Sequence, residues 1–113
     1  MTLYIIKNSL NRLIFTLNES SILLSPKYIL RIESKVDFKS KYMVFLPADD
    51  LSTNQARYNE WIIEEVIKDE EDLAEYKINL IPAEYNFYMY ESLEDTVQPT
   101  DKVIENGKIR VIE

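Results

Sequence analysis

Short segments in which apolar and polar residues alternate recur along the whole chain, and this period of two limits the possible folds more than any other feature. The clearest example is KYILRIESKVDFK, in which charged residues on one face alternate with apolar residues at Tyr28, Leu30, Ile32, Val36 and Phe38. A helix would scatter these apolar residues around its axis, and Tyr, Ile and Val favour strands. The segment therefore predicts a half-buried antiparallel strand over Tyr28–Phe38.

Similar signals are separated by turn residues such as Asn, Asp, Ser and Pro. About eight short strands at this spacing predict an all-β fold, a single antiparallel β-sandwich of seven or eight strands in one domain, residues 1–113. One short helix or turn is expected at Leu51–Arg57 or Glu70–Glu75. The remaining predicted strands are Leu3–Lys7, Arg12–Leu17, Tyr42–Leu46, Tyr58–Ile67, Tyr76–Leu80, Glu84–Glu91 and Lys108–Ile112.

The segment LIPAEY predicts a corner at which the chain passes from one sheet to the other. Leu80 would end a strand, Pro82 would fix the turn and Tyr85 would open the next strand. In immunoglobulin-like sandwiches a tyrosine at such a corner packs inward and hydrogen-bonds the nearby backbone. We therefore assign Tyr85 a structural role in an immunoglobulin-like sandwich.

The chain has one glycine, Gly107, within VIENGKIRVIE. Asn106-Gly107 between apolar runs matches a type I′ hairpin turn, with strands at Val103–Glu105 and Lys108–Ile112. The alternative is one terminal strand that is bulged or kinked at Gly107, where a positive φ costs little. We favour the single strand because three residues make a poor hairpin arm.

The composition argues against catalysis. The chain has no histidine and no cysteine, so the usual general base and nucleophile–base pairs are missing. The carboxylates at Asp49-Asp50, Glu64-Glu65 and Asp69–Asp72 fit solvated turns or strand edges, and KDEEDL lacks the pattern and the glycine of a calcium loop. A single glycine also excludes a phosphate-binding glycine-rich loop. We expect no enzyme, no metal and no cofactor.

The charge distribution bears on the partners. Residues 1–44 carry seven basic and three acidic side chains, whereas residues 45–113 carry six and seventeen, within a net charge of −7. An acidic chain does not favour nucleic acid, and the basic stripe Lys27, Arg31, Lys35, Lys39 and Lys41 has no aromatic residues on its face to stack on bases. No apolar run approaches a membrane span, and the first residues do not resemble a signal peptide. We expect neither nucleic acid nor a membrane as a partner.

The aromatic segment IPAEYNFYMYES raises the question of what covers its second face. In a strand, Tyr85, Phe87 and Met89 point to the core, so Tyr88 and Tyr90 point outward. Tyrosine and tryptophan are over-represented at interface hot spots. Tyr88 and Tyr90 are therefore candidate interface residues. Trp61 is a further candidate, although we favour the core for it.

Taken in order, the segments resemble a group of small virion structural proteins of tailed bacteriophages. The resemblance covers nearly the whole chain through NRLIFTLNES, SPKYILRIESKVDFKSKYMVF, DDLSTNQARYNEWIIEE, INLIPAEYNFYMYES and VIENGKIRVIE. Its most specific pieces are RYNEW, PAEYNFYMYE and VIENGKIRV. The chain departs from the pattern at Ala83, where the family has glycine.

The resemblance implies a non-enzymatic β-sandwich module that decorates the capsid or joins the head–tail region. Its partners would be other virion proteins, such as the major capsid or head–tail proteins, and copies of itself in a homo-oligomer. It would be located in the virion, assembled in the host cytoplasm. Arg57, which opens the RYNEW segment, joins the interface candidates. The alternatives are a tail- or fibre-associated adhesion module, or a small carbohydrate-binding β-sandwich.

Overall fold

The part of the chain that the structure describes forms eight strands in two sheets. The computed structural model describes residues 2–17, 27–53, 58–98 and 101–112, and within these residues there is no α-helix. Three short 3-10 turns lie at Pro47–Asp49, Lys68–Glu70 and Leu73–Glu75. The all-β prediction is confirmed. The strands are β1 Thr2–Ile6, β2 Leu10–Phe15, β3 Lys27–Ser34, β4 Ser40–Phe45, β5 Asn59–Glu65, β6 Lys77–Ile78, β7 Glu84–Ser92 and β8 Val103–Ile112.

The strands form a five-stranded sheet in the order β1-β8-β7-β3-β4 and a three-stranded sheet in the order β2-β5-β6. Four of the six neighbouring pairs are antiparallel. The other two are parallel: β1 runs parallel to β8, and β5 runs parallel to β6. The expected purely antiparallel arrangement is thus corrected at these two pairs. β1 and β8 lie at opposite ends of the described chain, and residues 66–76 with their 3-10 turns separate β5 from β6, so no tight hairpin sets the direction of either pair.

One apolar core contains side chains from both sheets, because each strand turns alternate side chains toward it. Its centre is aromatic. The Phe45 ring stacks on the Trp61 indole with centroids 5.0 Å apart, and Phe15 meets Phe87 edge-on at 6.1 Å. Strands of both sheets therefore depend on the same buried cluster.

The strand predicted over Tyr28–Phe38 ends earlier, at Ser34. Residues 35–39 turn the chain into β4, the Phe38 N–H donates to the Ser34 carbonyl at 3.0 Å, and Phe38 has a left-handed backbone with φ 59°. Val36 and Phe38 are 74% and 73% exposed instead of facing the core. The alternating pattern continues through this turn, and that is why the sequence did not reveal it.

Gly107 lies inside one continuous strand, β8, opposite Phe87. The single-strand alternative is confirmed, but the kink is not at Gly107, whose φ is not positive. The register shifts between Met89 and Tyr90 on the partner strand, where Ile104 is the extra residue of β8. Glycine is compatible with the position facing Phe87 because a large aromatic ring fills the space there.

Other boundaries also differ from the predictions; for example, the strand expected at Arg12–Leu17 runs from Leu10 to Phe15. The strand expected to reach Ile67 ends at Glu65, and Ile67 is exposed. The strand expected at Tyr76–Leu80 is reduced to Lys77–Ile78, because Tyr76 adopts a left-handed backbone with φ 58° just before it. Of the helix or turn candidates, Glu70–Glu75 contains 3-10 turns, whereas 54–57 lies outside the described residues.

Candidate interaction surface

The outward face of the five-stranded sheet carries a group of tyrosines around one arginine. Tyr42 on β4 and Tyr88 on β7 both pair directly with Arg31 on β3, the strand between them, and Tyr90 lies two residues after Tyr88 on the same face of β7. Tyr42 is 48% exposed, and Tyr88 and Tyr90 are half-buried. We call these four residues the tyrosine patch.

Arg31 holds the tyrosine patch in a fixed arrangement. Its guanidinium carbon lies 5.1 Å from the centre of the Tyr88 ring, within the range of a cation–π contact. Nε donates to the Ser40 hydroxyl at 3.0 Å, and Nη2 donates to the Glu33 carboxylate at 2.7 Å. Interaction with the Tyr90 phenol raises the pKa of Arg31 further above its usual value. Arg31 therefore stays charged and covers the outward tyrosines.

Apolar residues of neighbouring strands form a row beside the tyrosine patch on the same outward face. Ile29 alternates with the core-facing residues of β3 and so belongs to the outward face, yet it is only 1% exposed. It pairs with Tyr90 on one side and with Val44 on the other. The second face of IPAEYNFYMYES is thus covered in part by the protein itself, through Arg31 and this row of apolar residues.

The corner before β7 connects the two sheets, because β6 belongs to the three-stranded sheet and β7 to the five-stranded sheet. Tyr85 is 5% exposed, and its hydroxyl donates to the Ile81 carbonyl at 2.9 Å. Pro82 is exposed in the bend. Leu80 is buried but lies two residues beyond the end of β6, so it packs in the corner rather than ending a strand.

Trp61 does not belong to this surface. It is 1% exposed, packs against the core aromatic rings, and its Nε1 donates to the Leu46 carbonyl at 3.0 Å. This placement agrees with the core position that the sequence favours for Trp61, and it corrects the candidacy of Trp61 as an interface residue, because the indole is enclosed. Arg57, the remaining interface candidate, lies outside the described residues.

Glu65, the most deeply buried carboxylate among the candidates, is held by one ammonium group and by backbone N–H groups. Glu65 lies 3.1 Å from the Lys7 ammonium and accepts from the N–H groups of Leu80 at 2.9 Å and Asn8 at 3.0 Å. Burial alone would raise its pKa, but these hydrogen bonds and the Lys7 charge outweigh it and lower the pKa of Glu65. The Glu65 carboxylate stays ionised and is surrounded by hydrogen-bond donors. It thereby links the end of β5 to the turn after β1 and to the corner before β7.

Asp50 has a comparable structural role in the loop before β5. Its carboxylate accepts from the N–H groups of Ser52 and Glu60, each at 2.9 Å, and from the Asn59 amide at 2.8 Å. Burial opposes the charged form, but these hydrogen bonds outweigh it and lower the pKa of Asp50.

The described residues contain no cluster of three or more potential metal-ligating side chains.

The basic stripe predicted along β3 and β4 is largely neutralised. Four of its members form ion pairs with acidic side chains, and Lys35 and Lys39 lie in the hairpin turn rather than on a strand face. Lys41 also donates to the Asn79 carbonyl at 2.7 Å. Within the described ranges, no helix is long and apolar enough to cross a membrane.

The sequence indicated Tyr88 and Tyr90 but not their neighbours Arg31 and Tyr42. Arg31 had been grouped with the lysines by its spacing, and Tyr42 had been placed only in a predicted strand. The position of Arg31 between Tyr42 and Tyr88 depends on strand order, which the alternating pattern does not encode. Comparison of the chain with protein-family models, with curated proteins and with solved structures finds no match.

Proposed function

We propose that this chain is a non-enzymatic structural protein of a tailed-bacteriophage virion, which docks on other virion proteins through the tyrosine patch. It would serve on the capsid or in the head–tail region. The observation that carries the proposal is the tyrosine patch itself, a pre-arranged group of the residue types that dominate interface energetics. The sequence resemblance supplies the virion context.

The strand order supports an immunoglobulin-like sandwich as the scaffold for this role. In variable-type immunoglobulin domains one sheet contains strands G, F, C and C′ side by side, and the tyrosine corner lies at the start of strand F. Here β8, β7, β3 and β4 lie in that order, and Tyr85 at the start of β7 hydrogen-bonds the backbone four residues earlier. β2 pairs with β5 as strand B pairs with strand E in the opposite sheet.

The rigidity of the tyrosine patch supports docking in energetic terms. Association costs free energy when flexible side chains become ordered at an interface. Tyr88 is already fixed by Arg31, and Arg31 is fixed by Glu33 and Ser40. A partner that covers the patch would therefore bury aromatic area without having to immobilise these side chains.

The test is a double substitution, Tyr88→Ser with Tyr90→Ser. The matched control is Tyr4→Ser, on the same outward sheet face but on the edge strand β1, where the ring is 58% exposed. We expect the double variant to stay folded by circular dichroism and to lose incorporation into phage particles by about tenfold or more, while the control is incorporated normally. Quantitative mass spectrometry of purified particles measures this. Unchanged incorporation of the double variant would refute docking through the patch.

One observation favours a carbohydrate-binding module as a second candidate. Beside Tyr88, a shallow cavity of about 330 Å³ is lined by Asn86, Asn106, Gly107 and Lys108. An aromatic ring next to amide and ammonium groups suits a sugar, which offers both an apolar face and hydroxyl groups. Glycan-array binding that is lost in Asn106→Ala with particle incorporation intact would favour this candidate over docking on virion proteins.

A further inference from the structure

The two sheets have four edge strands, and at three of them other described groups cover part of the edge. At the end of β1, the Asn11 side chain accepts from the Ile6 N–H at 2.8 Å and donates to the Ile6 carbonyl at 3.0 Å. The two-residue strand β6 exchanges both backbone hydrogen bonds of Lys77 with Asp72. Beside β4, the Leu73–Glu75 turn packs along the strand, and the Tyr76 hydroxyl accepts from the Leu46 N–H.

The edge of β2 is different. The Ser9 carbonyl accepts from the Glu65 N–H at 3.0 Å. In the antiparallel pair of β2 with β5, the odd-numbered residues of β2 therefore direct their backbone N–H and carbonyl groups toward β5. The N–H and carbonyl groups of Leu10, Arg12 and Ile14 therefore point away from the sheet. Among the hydrogen bonds of the described residues, none involves these backbone groups.

The side chains of β2 do not protect this edge either. Natural sheets block edges with lysines, prolines, bulges or very short strands. β2 pairs six residues with β5 in an unbroken register and contains no proline. Leu10 is 70% exposed and Ile14 is 46% exposed, with one charged residue, Arg12, between them. An open edge with apolar side chains is the feature that pairs with another strand.

We propose that β2 pairs antiparallel with β2 of a second copy of this chain, which joins the two three-stranded sheets into one six-stranded sheet. Antiparallel pairing about a two-fold axis gives each open backbone group on one copy the matching group on the other. Such an interface needs no element other than β2, because each copy contributes the same edge strand.

The charged side chains beside the β2 edge favour a second copy of this chain as the partner that pairs with it. On the outward face, β2 offers Arg12, and the adjacent strand β5 offers Glu60 and Glu64. Arg12 already lies 3.5 Å from Glu60 and is largely exposed. A register with Arg12 opposite Ile14 of the second copy avoids two guanidinium groups directly opposite each other. The same register places the Arg12 and Glu60 side chains of both copies near one another, so that two positive and two negative charges cancel.

This interface is separate from the tyrosine patch, which lies on the other sheet. A dimer formed through β2 would carry two patches and could bind a repetitive particle surface at two points, so that its overall affinity would exceed that of one patch. The inference does not depend on the nature of the docking partner. Its test uses the isolated protein, so its failure would leave the proposed function untouched.

The experiment compares two pairs of lysine substitutions by analytical ultracentrifugation. Leu10→Lys with Ile14→Lys places charges on the open edge of β2. The matched control, Tyr4→Lys with Ile6→Lys, places the same charges on β1, where the native residues are 58% and 48% exposed. We expect the native chain to form a concentration-dependent dimer, the β2 variant to dissociate at least about tenfold more readily, and the β1 variant to behave as the native chain.

A third variant, Arg12→Pro, removes one outward N–H group from the edge. Proline is tolerated on edge strands where its N–H would face away from the sheet, so the monomer should fold, as circular dichroism would show. We expect it to weaken the dimer as well. A native chain that stays monomeric at every concentration, or a dimer weakened equally by the β1 and β2 lysine pairs, would overturn the proposal.

Discussion

At the scale of single residues, Glu65 shows how one buried charge can organise a loop end. Its carboxylate contacts the Lys7 side chain and two backbone N–H groups from different segments. A buried carboxylate is costly unless hydrogen bonds and an opposite charge compensate for it, and here both are present. The ion pair thereby connects the turn after β1, the end of β5 and the corner before β7.

Glu65→Gln should lower the free energy of unfolding by about 2 kcal/mol at neutral pH, because Lys7 loses its charged partner. The folded-state pKa of Glu65 is lowered from its ordinary value of 4.5. Its stabilising contribution is therefore present above that value and is lost as the pH falls through the lowered folded-state pKa. Urea unfolding over a pH series should show the native chain and the variant converging in acid. The outward-facing neighbour Glu64→Gln is the control, and an equal difference at every pH would contradict the assignment.

At the scale of elements, the hairpin between β3 and β4 departs furthest from its sequence pattern. The turn holds Phe38 in a left-handed conformation that is unfavourable for a bulky residue, while most of its ring remains in solvent. The pairing of β3 with both β4 and β7 determines where the turn falls. Local preference at Phe38 is overridden by the register of the sheet.

Phe38→Gly should raise the free energy of unfolding by about 0.5–1 kcal/mol, since glycine adopts a positive φ without steric cost and little burial is lost. Val36→Gly, in the same turn and equally exposed but without a positive φ, should give no such gain. Thermal and urea unfolding of both variants measure the difference. A loss of more than about 1 kcal/mol in Phe38→Gly would show that its ring makes stabilising contacts.

At the scale of the whole molecule, stability depends on one core that both sheets share. Trp61 lies at its centre, stacked on Phe45 from the opposite sheet and hydrogen-bonded to the Leu46 carbonyl. No disulfide contributes, because the chain has no cysteine. Core packing and hydrogen bonds therefore hold in place the strands that carry the tyrosine patch and the β2 edge.

Trp61→Ala should lower the free energy of unfolding by about 3–5 kcal/mol, because it removes the largest core side chain and leaves a cavity. The control is Ile62→Ala, the next residue on β5, whose side chain points to the opposite face. We expect a smaller loss there. Urea unfolding followed by far-ultraviolet circular dichroism compares the two, and a loss below about 1 kcal/mol for Trp61→Ala would be incompatible with a core position.

The sequence by itself determined the all-β class, most strand positions, the inward side of β7 and the outward direction of Tyr88 and Tyr90. These properties follow from alternation along one strand, which is a local signal. Only the tertiary structure decided the end of β3 and the parallel pairing of β1 with β8. It also placed Arg31 between Tyr42 and Tyr88 and left the β2 edge open. These depend on which distant strands become neighbours, and alternation fixes the face of a side chain but not the strand beside it.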